Sequence, residues 1–222
     1  MRENIFKISL LFCLLFIGGL SDVVAQALDI SSGGTPTITG SSGGSVTGSA
    51  SVLNNLVVTI NFGEVSPVNT NNIVKVVVPI AIRSNQPYQV SVSIVGGINV
   101  NAQAIQRSDV GFGENNFRSL GANARICTNS SHIFYSPYSN DPAGNVTISA
   151  SGRAAYPSTL NNIGLSTVIL SGPRLSNGNN TRQTNDGYVF DAIFALTPQY
   201  YAAGSTIATL TFTISAGPNV PC

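Results

Sequence analysis

The chain has 222 residues, of which only 9% are charged, and its 10 lysines and arginines nearly balance its 9 acidic residues. Nucleic-acid binding requires clustered cations, and binding to anionic membranes requires a polybasic run, so this composition argues against both classes. Glycine, serine, threonine and asparagine supply most of the polar surface instead.

The first 27 residues have the pattern of a secretory signal peptide. Arg2 and Lys7 give a positive start, and residues 8–20 form an apolar segment that is too short to span a bilayer as a helix. Ala25 and Ala27 are the small residues that a signal peptidase recognises, which predicts cleavage after Ala27. We therefore expect a mature protein in the periplasm or at the cell surface, with no transmembrane segment.

The cysteines fit that compartment. Cys13 lies inside the signal and is removed with it, which leaves Cys127 and Cys222. In an oxidising compartment two cysteines most simply form one disulfide, with unpaired or intermolecular thiols as the alternative.

A serine- and glycine-rich stretch, residues 28–51, follows the signal. Such a composition buries too little apolar surface to fold alone, which predicts an extended N-terminal arm before a domain over residues 52–222. The isolated apolar side chains of the arm are Ile30, Ile38 and Val46.

From residue 52 onward, short apolar or β-branched runs alternate with turn residues, which is the pattern of strands. The clearest runs cover residues 56–62, 73–83, 88–95, 188–197 and 206–215. Pro79 predicts an edge position or a bulge, and residues 107–125 predict a loop or a short helix. The whole pattern predicts an all-β fold, specifically an antiparallel immunoglobulin-like β-sandwich.

The run at 206–215 is almost the last segment of the chain. Pro218 and Pro221 follow it and cannot continue a hydrogen-bonded ladder. We therefore expect this strand to leave an open edge that needs a partner. Its apolar side chains are Ile207, Leu210, Phe212 and Ile214.

Three segments carry a shared resemblance: residues 61–67 (NFGEVSP), 79–93 (PIAIRSNQPYQVSVS) and 201–214 (YAAGSTIATLTFTI). They resemble the Phe-Gly turn, the following strand pair and the closing strand of spore coat protein U-like domains and archaic chaperone–usher pilins. That family usually has one cysteine before the Phe-Gly turn and another in the following strand. This chain has no cysteine near the first position and Arg83 near the second. Residues 107–182 have no counterpart in the family pattern.

The resemblance implies donor-strand complementation, in which the arm of one subunit completes the sheet of the next. Ile30, Ile38 and Val46 would then be donor side chains, and residues 206–215 the acceptor edge. The implied partners are further copies or other pilus subunits, with a periplasmic chaperone and an usher. A donor strand needs more alternating apolar side chains than the arm provides, so a plain spacer before an ordinary first strand at 52–62 stays open.

The remaining candidate catalytic residues give little indication of an enzymatic activity. His132 is the single histidine, and no Gly-x-Ser-x-Gly motif accompanies it, so a hydrolase triad is disfavoured. Glu64, Asp109 and Glu114 are interpreted as surface acids rather than as a glycosidase pair. No cluster has metal-ligand spacing and no cofactor motif occurs, so we predict no metal, no cofactor and no enzymatic activity.

The sequence thus predicts a non-enzymatic, exported structural or adhesive surface subunit of pilin type, which assembles by strand complementation between protomers. The alternative is a stand-alone secreted carbohydrate- or ligand-binding module. Its ligand face would be formed by the asparagine-rich residues 177–187 and by Tyr135, Tyr138, Tyr200 and Tyr201.

Overall fold

A computed structural model of the chain describes residues 28–40, 43–52, 54–64, 73–95, 105–120, 131–150, 154–175, 187–197 and 205–221. This part of the chain is all-β, as the alternating pattern predicts. In chain order, the strands are β1 (Leu28–Ser32), β2 (Thr37–Thr39), β3 (Ser45–Val52), β4 (Asn55–Glu64), β5 (Val74–Ser84), β6 (Tyr88–Val95), β7 (Val110–Leu120), β8 (Ile133–Phe134), β9 (Thr147–Ile148), β10 (Ala154–Ala155), β11 (Thr167–Gly172), β12 (Gly187–Leu196) and β13 (Ser205–Ala216). Two 3₁₀ turns, Arg107–Asp109 and Leu160–Asn162, accompany them.

The strands form two main antiparallel sheets. The first sheet has the order β1-β5-β12-β7, and β2 pairs with β5 beside β1. The second sheet has the order β3-β4-β13-β6-β11-β8, and β9 and β10 form a separate short pair. The antiparallel β-sandwich class is thereby confirmed, whereas its immunoglobulin-like topology stays a prediction.

One apolar core lies between the two sheets. On β5, alternate residues from Val74 to Ile82 are buried because side chains of a strand point to opposite faces in turn. Leu56, Val58 and Ile60 of β4 do the same from the second sheet. Both sets belong to a single buried cluster, so the period-two pattern of the sequence places the core correctly.

Strand β12 departs from this alternation because each of its residues is buried. Its inner face carries Phe190 and Phe194, which join the core, while Val189 and Ile193 lie on its outer face. A second layer must therefore cover the outer face of the first sheet.

That layer is a loop-rich region, here called the covering segment (residues 137–150 and 154–159). It lies directly on β7: an added Cβ at Gly111 would lie 2.6 Å from the Tyr156 ring, and one at Gly113 would overlap the carbonyl oxygen of Asn140. Two glycines on the same face of β7 therefore make the close approach possible. In register, Gly111 and Gly113 stand beside Ala195 and Ile193 of β12.

Polar contacts hold the covering segment in place. Lys75 Nζ lies 2.5 Å from Asp141 Oδ2. The backbone N–H of Phe112 donates to the Ser158 carbonyl at 3.1 Å, and that of Glu114 donates to the Tyr138 carbonyl at 2.7 Å. These two bonds also occupy hydrogen-bonding groups at the outer edge of β7, which seals this side of the first sheet.

Pro79 lies inside the first sheet, opposite Asp191 of β12, and not on an edge strand. Its carbonyl accepts from the Gly33 N–H at 2.8 Å, so its nitrogen also faces the N-terminal strands. Because proline has no N–H to donate, the ladder is interrupted here. β1 pairs with β5 on one side of this position and β2 on the other.

The loop or short helix expected over residues 107–125 is wrong for most of that range, because Val110–Leu120 forms β7. Val110, Phe112 and Glu114 point to the core, and the glycines between them face the covering segment. The glycines that suggested a loop serve close packing instead.

A substitution at Gly113 tests this packing. Gly113→Ala forces the covering segment away from β7, and we expect a loss of about 1–3 kcal/mol in the free energy of unfolding. Gly144→Ala is the matched control, since an added Cβ there has its nearest contact at 3.8 Å. Equal urea midpoints for the two variants would contradict the close approach.

Candidate functional site

The N-terminal arm is paired with its own chain. β1 pairs with residues 80–84 of β5, β2 pairs with residues 75–77 of β5, and β3 pairs with β4. The arm therefore supplies the strands along one side of both sheets. It is extended, as predicted, but within the described residues it lies folded against the sandwich.

The three predicted donor side chains of the arm differ in how far they are buried. Ile30 is fully buried and stands opposite Ile82 of β5. Ile38 and Val46 are half-buried and pack against the same core, as does Leu28. The apolar residues of the arm thus contact the core of their own chain, with one side chain seated completely.

The polar contacts of the arm are weak by comparison. Arg83 Nη1 lies 3.4 Å from Asp29 Oδ2 and 3.4 Å from Ser31 Oγ. Both partners of the ion pair are partly exposed, and such pairs contribute about 0–1 kcal/mol. Backbone pairing and Ile30 therefore hold β1 in place.

A glycine-rich connection joins β2 in the first sheet to β3 in the second. Gly40 and Gly43 have φ angles of 79° and 73°, in the left-handed region that favours glycine. An added Cβ at Gly43 would contact nothing within 4 Å, so its backbone conformation alone constrains that position. We call the glycine-containing residues 40–44 the hinge.

The open edge expected at residues 206–215 is wrong. β13 lies inside the second sheet and pairs with β4 on one side and β6 on the other. Leu210, Phe212 and Ile214 are buried in the core, whereas Ile207 is on the opposite face and half-buried. The last strand of a chain can insert between earlier strands, so its position in the sequence does not make it an edge. The edges that the arm completes belong to β5 and β4.

Of the predicted tyrosine face, only Tyr135 and Tyr138 lie in the described part of the chain. Tyr138 is buried, with its ring centroid 5.8 Å from that of Phe112, and its hydroxyl donates to the Asn162 carbonyl at 3.1 Å. Tyr135 is half-buried, and its hydroxyl lies 3.1 Å from Ser171 Oγ. Tyr138 is thus unavailable for stacking on a sugar.

Several predicted site residues lie outside the described part of the chain. They are Tyr200, Tyr201, Cys127, Cys222, residues 177–186 and the signal at residues 1–27. The disulfide and the signal peptide stay predictions.

A buried polar cluster, here called the core polar cluster, is the feature that the sequence analysis missed. It contains Glu114 of β7, Tyr88 of β6, Tyr188 of β12 and His132 just before β8, all nearly inaccessible to solvent. The rings of His132 and Tyr188 stack with centroids 4.2 Å apart, and those of Tyr88 and His132 are 6.0 Å apart. The burial of His132 at a strand end agrees with its interpretation as a packed residue.

The surroundings shift the protonation of this cluster toward neutral forms. Burial raises the pKa of the Glu114 carboxyl well above its ordinary value. Burial, and then the charges of Tyr188 and Glu114, raise the pKa of Tyr88 well above 10. Burial also raises the pKa of Tyr188 to about 12.

Two of the three acidic residues interpreted as surface groups, Asp109 and Glu114, are buried instead. Glu114 is fully buried, and Asp109 is buried at the end of a 3₁₀ turn, where its Oδ2 accepts from the Gln106 N–H at 2.9 Å. The side chain of Glu64 is outside the described set. The first two acids therefore serve different local structures and do not assemble a glycosidase pair.

Within the described ranges, no helix is long and apolar enough to cross a membrane. In the same part of the chain, no three His, Cys, Asp or Glu side chains come together as a metal site. No protein-family model, curated protein or solved structure matches the chain. The family resemblance and the function it implies stay predictions.

Ile30→Ala tests whether β1 is docked on the sandwich. Removing this fully buried side chain should lower the free energy of unfolding by about 2–5 kcal/mol. Ile38→Ala, at a half-buried position of the same arm, should cost clearly less. Urea unfolding of both variants gives the comparison, and equal losses would contradict the docking of β1.

Proposed function

We propose that the protein is an exported structural or adhesive surface subunit, and that its subunits assemble by exchanging β1 and β2. The observation that carries this proposal is that Ile30, a fully buried core residue, lies on a terminal segment whose backbone pairs with β5 and which continues into a glycine hinge. The same segment can dock on a second copy without any new contact.

The contacts of the arm are compatible with exchange between copies. Full burial of one isoleucine stabilises by about 1.5–3 kcal/mol, and the ion pair of Asp29 with Arg83 adds little because it is partly exposed. A neighbour's β1 would restore both, so closed and exchanged forms differ mainly in the hinge and in the entropy of association.

The proposal revises the acceptor. The edge of β5 next to the arm, and not that of β13, would receive the incoming strand. Pro79 divides this edge into a site for β1 and a site for β2, which fixes the register of an incoming arm. The predicted signal peptide and the near-neutral, low-charge composition suit an exported assembly, and an open β5 edge is what a periplasmic chaperone would protect before assembly.

A cysteine pair distinguishes the closed from the exchanged form. Ser31 and Ala81 are register partners across β1 and β5, so we expect the Ser31→Cys/Ala81→Cys variant to crosslink. Isotopically light and heavy chains are co-refolded at high concentration and oxidised, and the crosslinked peptides are analysed by mass spectrometry. Exchange predicts mixed light–heavy peptides.

The matched control is Thr59→Cys/Thr209→Cys, which joins β4 to β13 inside the second sheet, where the two hydroxyl oxygens are 3.2 Å apart. This pair should give crosslinks within one chain only. Crosslinks of Ser31→Cys/Ala81→Cys confined to single chains over the whole concentration range would refute the exchange.

The hinge gives an independent prediction. Gly43→Ala places a side chain at φ 73° without any steric contact, so it penalises the closed arm by about 1–2 kcal/mol. An opened hinge relieves that strain, and the exchanged dimer should gain roughly tenfold in its association constant for each exchanged arm. Sedimentation analysis measures this, with Gly48→Ala in β3 as the control, since an added Cβ there has its nearest contact at 4.0 Å. A monomeric Gly43→Ala protein would count against the hinge.

A further inference from the structure

Glu114 occupies an unusual position for a carboxyl group. It lies on the inner face of β7, in line with Val110 and Phe112, and is fully buried. Neither of its carboxyl oxygens makes a hydrogen bond to any described residue. The hydroxyls of Tyr88, from the facing sheet, and of Tyr188, from the neighbouring strand β12, are likewise buried and unbonded within the described residues.

Among the described residues, Glu114 belongs to no ion pair. The ion pairs found among the described residues are Lys75 with Asp141, Arg83 with Asp29, and Arg118 with Asp191. Asp191 is on β12 as well, but it alternates with Phe190 and Ala192 and so faces away from the core. The titratable groups around Glu114 are Tyr88 from β6, Tyr188 from β12 and His132 from the segment before β8.

An unpaired carboxylate in such surroundings is far more costly than a neutral carboxylic acid. We propose that Glu114 is a proton-binding site in the core, and that the sandwich takes up one proton when it folds just above the pH range in which carboxyl groups ordinarily ionise. The ligand is the proton itself, held on a fully buried carboxyl whose charge acts on the hydroxyl of Tyr88.

The sign of the effect follows from linkage. The folded pKa of Glu114 lies above its unfolded value, so the folded chain binds more protons than the unfolded chain between these two values. Stability is therefore greatest below the unfolded pKa, near 4.5, and falls as the pH rises toward the folded pKa. A buried imidazole that gained a proton in acid would act in the opposite direction.

The location gives this proton a structural role. β7 is the last strand of its sheet, and the covering segment lies outside it. Water can reach Glu114 if β7 and the covering segment separate from β12, without dissociation of the remaining strands. Loss of the proton thus weakens the side of the sandwich opposite the arm, independently of whether the arm is exchanged.

Urea unfolding across pH 4.5 to 9 tests the proposal. The unfolding constant of the wild-type protein should rise by about tenfold for each pH unit within the linkage window, as expected for one proton. Glu114→Gln should abolish this slope, whereas Asp29→Asn, a change of the same kind at a partly exposed ion pair, should retain it. A flat wild-type profile, or a slope that persists in Glu114→Gln, would overturn the proposal.

Two further measurements cover the case in which Glu114→Gln fails to fold. Carbon-detected NMR of the wild-type folded protein should show Glu114 still protonated at a pH at which the exposed carboxyl groups are ionised, and a Glu114 carboxyl that titrates together with them would refute the site. Amide exchange, corrected for its intrinsic pH dependence, should accelerate with pH in β7, and a β7 rate that does not change with pH would also refute the site. The tyrosines contribute only above pH 10, so Tyr188→Phe should leave the lower window unchanged.

Discussion

The burial of β12 on both faces is the constraint on which the rest of the structure depends. A strand of this kind needs a layer on each side. The second sheet provides one, while on the outer face the covering segment lies over the adjacent β7 and Gly33 of the arm lies close to Val189 of β12. The covering segment lies close enough only because Gly111 and Gly113 present no side chains toward it. Its carbonyl groups then bind the free edge of β7, so that one packing requirement also seals a sheet edge. The ion pair of Lys75 with Asp141 connects this layer to β5, the strand that holds the arm.

The two sides of the sandwich are closed by different means. On the β7 side, residues in the middle of the chain are fixed by packing and by hydrogen bonds at several points. On the other side, the edges of β5 and β4 are completed by the arm, which carries one fully buried side chain and is joined by a glycine hinge. Assembly is therefore proposed on the arm side, where a segment can leave and be replaced. The core polar cluster concerns the opposite side, where the carboxyl of Glu114 lies beneath the sealed edge.

The sequence predicts the strands whose apolar residues follow a local pattern. It does not predict packing between segments that are distant in the sequence. The strands β4, β5, β6 and β13 follow from period-two runs of apolar residues, and β12 follows from a nearly continuous apolar run. β7 was missed because Gly111 and Gly113 resemble loop residues until Tyr156 and Asn140 are known to lie above them. β13 was misplaced because alternation gives the faces of a strand but not its neighbours. Ile30, expected as a donor side chain, is fully buried in the core of its own chain, and its role as a donor stays a prediction. Glu114 would have stood out had β7 been predicted, because it follows Val110 and Phe112 at a spacing of two.

The pairing of β1 with β5 has a consequence for folding among other copies of the chain. Asp29 and Arg83 are 54 positions apart, so closing this contact costs more chain entropy than closing the β3–β4 hairpin. The contact of Thr59 with Thr209, which joins β4 to β13, spans 150 positions and costs more again. While the outer edge of β5 is vacant, the chain's own arm acts at a fixed effective concentration set by its tether, and a neighbour's arm acts at the bulk concentration of protein. In the proposed assembly, the protein concentration during folding therefore decides how many chains close on their own arm.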